Sequence, residues 1–285
     1  MTDQARERVL AALWGEAPDP VVAGFTYVPV SLMGRERSSP PGGGATHVAQ
    51  AAADAGLDFV FVRHDATDAR RLAGLLTQMG IAPMWAVDGV LWSALAAVGL
   101  ELGLRATVVR PEMLEPMLDA ALARALEGVQ AAHAAGAVAV VVGEDLAGEA
   151  GPLVSPDYVN DAVMPRIARI AQEATSLGMP AILHADGDAR VFVAPAARAG
   201  FQAIHASGGS PGFAPLATAA RAAGIAAIGG ISTAALSGDL AAAVDAGTIA
   251  ATVAASGGIL VADDGGINTR EQFVALVAAL EAARR

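Results

Sequence analysis

Residues 137–142 read AVAVVV, and this run decides the fold class. A strand that is apolar at every position has both faces buried. That is the pattern of a parallel sheet covered by helices, not of an antiparallel sheet with one wet face. Similar runs recur on either side: 57–62 (LDFVFV), 81–87, 181–184 (AILH), 201–205, 225–228 and 258–262, with an alternating Val/aromatic run at 21–30. Ala/Leu/Arg-rich stretches separate them and read as helices up to about residue 56, then over 67–80, 91–102, 112–135, 191–199, 214–223, 233–255 and 269–284. Ser155-Pro156-Asp157 marks another helix start, with Ser155 as N-cap and Pro156 at the first helical position; Gly178 stops that helix after about residue 177. Residues 248–253 fit helix or strand equally by periodicity. Eight strand–helix units over 285 residues predict an α/β protein, a single (β/α)8 TIM barrel spanning 1–285 as one domain.

Composition narrows the chemistry. There is no cysteine, which removes disulfides, thiolate metal ligands and a Cys nucleophile. All 18 basic residues are arginine, so Schiff-base chemistry and pyridoxal phosphate attachment have no lysine to use; haem is not expected either. A net charge of −11 argues against a nucleic-acid surface. Mean hydropathy is +0.48, but alanine carries it, and the longest uncharged run, 199–220, contains His205, prolines and glycines. No membrane span is expected, and the charged start lacks a signal-peptide core, so a cytoplasmic location is expected.

A barrel carries its active site at the C-terminal ends of its strands. The residues there are Arg63, His64 and Asp65 after the second strand and Asp88 after the third. Glu144 and Asp145 follow the fourth. His184, Asp186 and Asp188 follow the fifth, His205 ends the sixth, Gly229-Gly230 follow the seventh and Asp263-Asp264-Gly265-Gly266 the eighth. The sharpest local signal is His184-Ala185-Asp186, because side chains at i and i+2 of a strand share a face. His184, Asp186, Asp145 and Asp88 are the candidate catalytic residues. His184, Asp186 and Glu144 could hold Zn²⁺ or another divalent metal, or could bind one another and substrate without a metal. Arg35, Arg37, Arg63, His64, His205 and Glu144 are candidate substrate-binding groups, the arginines as carboxylate clamps. His205 fits a structural role as well as a catalytic one, and His47 and His133 fall in helices. The glycines after the last two strands could offer N–H groups to a phosphate.

An ordered set of motifs adds a family reading. GEDLAG at 143–148, GPLVSP at 151–156, VMPRI at 163–167, ILHADGD at 182–188, AGFQAIH at 199–205, IGGI at 228–231 and GILV at 258–261 occur in sequence. Together they resemble the uroporphyrinogen decarboxylase superfamily, which also contains corrinoid- and thiol-dependent methyltransferases. The resemblance covers the second half of the chain and implies a (β/α)8 barrel, often a homodimer. It also bears on the site. Residues 28–37, VPVSLMGRER, differ from the arginine-rich motif by which the decarboxylases grip substrate carboxylates, and Asp88 is a loose counterpart of their catalytic aspartate. His184 matches the first zinc ligand of the thiol methyltransferases, Asp186 replaces the second, and Gly265 stands where the third is expected. The implied function is an enzyme acting on a small molecule, a methyltransferase or carboxy-lyase. Methyl transfer involving a corrinoid, with a corrinoid protein as partner, is the first expectation. Decarboxylation of a carboxylated ligand and a non-catalytic ligand-binding barrel are the alternatives.

Overall fold

The computed structural model describes residues 4–27, 43–64, 68–206 and 212–285. Eight parallel strands form the main sheet in chain order: β1 (Gly24–Phe25), β2 (Phe59–Arg63), β3 (Ala82–Asp88), β4 (Ala139–Gly143), β7 (Ala181–His184), β8 (Ala203–His205), β9 (Ala226–Ile231) and β10 (Ile259–Asp263). A parallel bridge between Ala23 and Val261 joins the first strand to the last and completes the ring. The remaining pair, β5 (Ala147–Gly148) and β6 (Gly151–Pro152), is a small antiparallel hairpin after β4.

Side-chain parity builds two cores from these strands. Phe59, Phe61, Met84, Val141, Ile182, Ile228 and Leu260 fill the barrel interior, and Val9, Ala12 and Leu13 of the helix Gln4–Leu13 pack onto that interior. The alternate residues, among them Val60, Val62, Trp85, Val140, Val142 and Leu183, face outward and are covered by helices. Both faces of each strand are therefore dry, which is why the runs are apolar throughout.

Two helical stretches differ from expectation, and a third settles a reading left open. Residues 91–102 are not continuous: Val90–Val98 and Leu100–Val109 meet at Gly99 with a bend of 111°. The helix after Ser155 widens into a π-type turn at Val159–Val163 before continuing as Met164–Ser176. Pro165, which lacks an N–H and crowds the preceding turn, stands at that junction. Residues 248–253 lie inside the helix Leu240–Ala254, not in a strand. Among the described residues, no single helix is long and apolar enough to cross a membrane.

Candidate functional site

The strand ends deliver their polar side chains to one mouth. His184 and His205 are register neighbours on β7 and β8, and Asp88 and Gly143 continue that row on β3 and β4. Each follows an interior residue by two positions: Ala86 leads to Asp88, Val141 to Gly143, Ile182 to His184 and Ala203 to His205. A cavity of about 200 Å³ opens here, lined by Tyr27, Arg63, His64, Asp88, Trp92, Asp145 and His184.

Asp145, His184 and Asp186 form the tightest group. One ligand-type atom from each lies within 4.8 Å of the others. His184 Nε2 is 3.8 Å from Asp145 Oδ1 and 3.7 Å from Asp186 Oδ1. Burial holds the His184 imidazole well below its usual range. Burial pushes the Asp145 carboxyl up to about 6, helped by the negative charge of Asp186. Asp186 is raised for the same first reason. The result is a neutral imidazole beside two carboxylates that resist ionising together, an arrangement a cation would relieve.

The β5–β6 hairpin explains why residues on different strands meet so closely. Gly148 O accepts a hydrogen bond from Asp188 N–H at 2.9 Å. Gly187 turns with φ +64° against the Gly148 backbone, where a Cβ would collide. The loop carrying Asp186 is thereby fixed against the loop after Asp145. Asp188 itself takes no part, because its carboxylate pairs with Arg190 at 2.6 and 2.7 Å.

The His184 ring stands edge-on to Tyr27, centroids 4.9 Å apart, and stacks on His205 at 4.8 Å. His184 Nδ1 is 2.6 Å from His205 Nδ1, and His205 Nε2 is 2.9 Å from the Asp263 carbonyl. Asp263 is held in turn by the N–H and hydroxyl of Thr26 and the N–H of Gly265. His64 Nδ1 lies 3.1 Å from the Ala86 carbonyl, and its Nε2 lies 3.8 Å from Asp88.

Several expected residues are placed otherwise. Glu144, expected as a ligand beside His184, is fully buried and points away. Its carboxylate accepts the N–H groups of Val90, Leu91 and Trp92 at 2.6, 2.8 and 3.0 Å, capping the helix Val90–Val98. Burial raises its carboxyl to about 7 against the pull of these donors. A methyl on Gly89 would overlap this carboxylate, so glycine is required there. Asp145 is the carboxylate that joins His184. Of the expected phosphate cradle, the Gly265-Gly266 half is filled from within, since these residues donate their N–H groups to Asp263 and Asp264. Arg35 and Arg37 lie outside the described residues. Tyr27 and Trp92, which line the cavity, were not expected. Tyr27 reads as an ordinary strand aromatic and Trp92 as a helix residue. The Tyr27 phenol is pushed up by burial and by the carboxylates of Asp145, Asp186 and Asp88, with Arg63 opposing.

A family model described as uroporphyrinogen decarboxylase (URO-D) matches residues 92–254. The chain belongs to the URO-D family. No curated protein sequence matches it. Among solved structures, this URO-D-family chain resembles a methyltransferase from Methanosarcina mazei with TM-score 0.71 and 18% identity, covering 96% of this chain and 97% of that one. It also resembles D-psicose 3-epimerase from Clostridium cellulolyticum H10, with TM-score 0.56, 11% identity and coverage of 92% and 98%. D-allulose 3-epimerase from Methylomonas sp. follows at TM-score 0.57, 14% identity and coverage of 88% and 85%. At these identities the likeness establishes the (β/α)8 barrel. The family match independently supports the resemblance read from the motifs at 143–205.

Proposed function

We propose that this URO-D-family barrel is an enzyme that moves a methyl group between a small molecule and a corrinoid, with Asp145, His184 and Asp186 holding a divalent cation. The convergence of these three residues at the strand ends carries the reading. One imidazole nitrogen and two carboxylate oxygens fit a catalytic Zn²⁺ site, which keeps three protein ligands and an open position; the oxygen-rich set also suits harder cations. When bound, the cation supplies Lewis acidity to the atom that gains or loses the methyl group.

The remaining residues bind and steer the substrate. The Tyr27 phenol stays protonated and so can serve as a hydrogen-bond donor at the cavity wall. Arg63 and Trp92 bound the opening. His64, donating Nδ1–H to the Ala86 carbonyl, keeps Nε2 as the atom that can hold a proton for the departing group, with Asp88 beside it. A cavity of about 200 Å³ admits a small substrate and not a corrinoid ring, so the corrinoid, brought by a partner protein, meets the substrate at the opening. A second reading, decarboxylation of a carboxylated ligand, is favoured by Arg63 at the same opening.

The test combines elemental analysis of the purified protein with incubation against cob(I)alamin and a panel of methyl ethers, methylamines and methyl thioethers. The expected result is one divalent metal per chain and growth of the methylcobalamin spectrum with at least one donor. The absence of both bound metal and spectral change overturns the proposal, and CO₂ release from carboxylated ligands would then establish the second reading.

A further inference from the structure

His205 has no access to substrate. It is 0% exposed, ends β8 and packs edge-on against Phe61 at 5.4 Å. Both of its ring nitrogens are nevertheless engaged, and the partners fix the direction of each bond. A peptide carbonyl can only accept, so His205 Nε2, 2.9 Å from the Asp263 carbonyl, carries a proton. A neutral His205 then presents a lone pair at Nδ1. His184 Nδ1, 2.6 Å away, must be the donor, because two N–H groups or two lone pairs cannot face each other at that distance. His184 Nε2 is left as a lone pair, aimed at Asp145 and Asp186. The opposite assignment requires an imidazolium at His205, a cation fully buried against Phe61 whose neighbouring carboxylate, Asp263, is already closed by three hydrogen bonds from Thr26 and Gly265.

The geometry points to His205 as a positioning residue that selects the His184 tautomer: by accepting from Nδ1–H, it keeps Nε2 unprotonated and available as a metal donor. This rests on the proposed cation site, but the tautomer exists with or without the metal. The Asp263 carbonyl sets the sense of the whole chain, and three hydrogen bonds to the Asp263 side chain hold it still. Without His205, His184 is free to turn its proton to Nε2 and hydrogen-bond the carboxylates, closing the site to a cation. Partners that orient a ligating histidine through its other nitrogen typically contribute 10–100-fold to metal affinity.

The test is imidazole ¹⁵N NMR on the metal-free, full-length protein, with Zn²⁺ titration by calorimetry. In the wild type, His184 is expected to carry its proton on Nδ1. In His205→Phe, which keeps a flat ring but accepts nothing, the Nε2–H form is expected to appear and Zn²⁺ affinity to fall by about 10–100-fold. His205→Gln, whose amide can accept from His184 and donate to Asp263, is expected to restore the Nδ1–H form and most of the affinity. A wild-type His184 protonated at Nε2, or an unchanged tautomer in a folded His205→Phe protein, overturns the inference. Should the phenylalanine variant fail to fold, the wild-type spectrum and the glutamine variant still decide. An Nδ1–H tautomer in a protein that takes up no Zn²⁺ would sink the cation site while leaving the role of His205 standing.

Discussion

The two ends of this barrel both bury carboxylates, and they treat them in opposite ways. At the N-terminal end, Asp58 is met by Arg8 at 3.3 Å, by Arg284 at 3.2 Å and by the N–H of Ala23 at 3.0 Å. Its charge is answered by two guanidinium groups that tie the first and last helices to the barrel floor. At the C-terminal mouth, Asp145 and Asp186 face each other and a neutral histidine, and no arginine among the described residues pairs with either. An acid surrounded by cations serves the fold. Acids gathered around an imidazole at a cavity are the arrangement typical of binding and catalytic sites.

Substitutions should separate the two ends by sign as well as by size. The largest effect is expected at the mouth and in activity: His184→Ala or Asp186→Ala should lower kcat/KM by roughly a thousandfold, about 4 kcal/mol, with circular dichroism unchanged. Near-wild-type turnover in both would dissolve the distinction. At the floor, Asp58→Ala should cost about 2 kcal/mol in denaturant unfolding with little change in kcat, because it takes the shared carboxylate from two half-buried arginines. Glu144→Gln should cost about 2 kcal/mol, since its amide N–H₂ would oppose one of the helix N–H groups now satisfied. The smallest and most telling change is Asp145→Asn. It should stabilise the metal-free protein by about 1 kcal/mol near pH 7.5, a figure discounted for the partial exposure of that side chain, while weakening Zn²⁺ binding.

The pH dependence follows the same logic. Burial raises the Glu144 and Asp145 carboxyls to about 7 and about 6 in the folded chain, above the ordinary carboxylate range. The folded state therefore holds extra protons across that window, so metal-free stability should rise as pH falls from about 7 towards 5. His184, held neutral, works in the other direction, but it is one group against several. A thermal midpoint that drops steadily from pH 7 to 5 would show that the mouth acids are already paired.

Much of this arrangement is legible in the sequence. The apolar runs give the eight strands, and counting by two from Phe61, Ala86, Ile182 and Ala203 places Arg63, Asp88, His184 and His205 at the mouth. The same count from Val141, carried two residues past the end of β4, puts Asp145 on the inner face and Glu144 on the outer, against the metal role expected of Glu144. Tyr27 was not legible in this way. Phe25 at the end of β1 packs in the outer core, so the same count would send Tyr27 outward, yet it lines the cavity. The partnership of His184 with His205 needs the β7–β8 register, which only the folded sheet supplies.

Glu144 and Asp145 are joined by a single peptide bond, yet one anchors a helix and the other faces the cavity. This segment consequently has no tolerance for changes in length. Adding or deleting one residue between Gly143 and Leu146 would swap the two side chains, sending the helix anchor into the opening and the cavity acid into the wall.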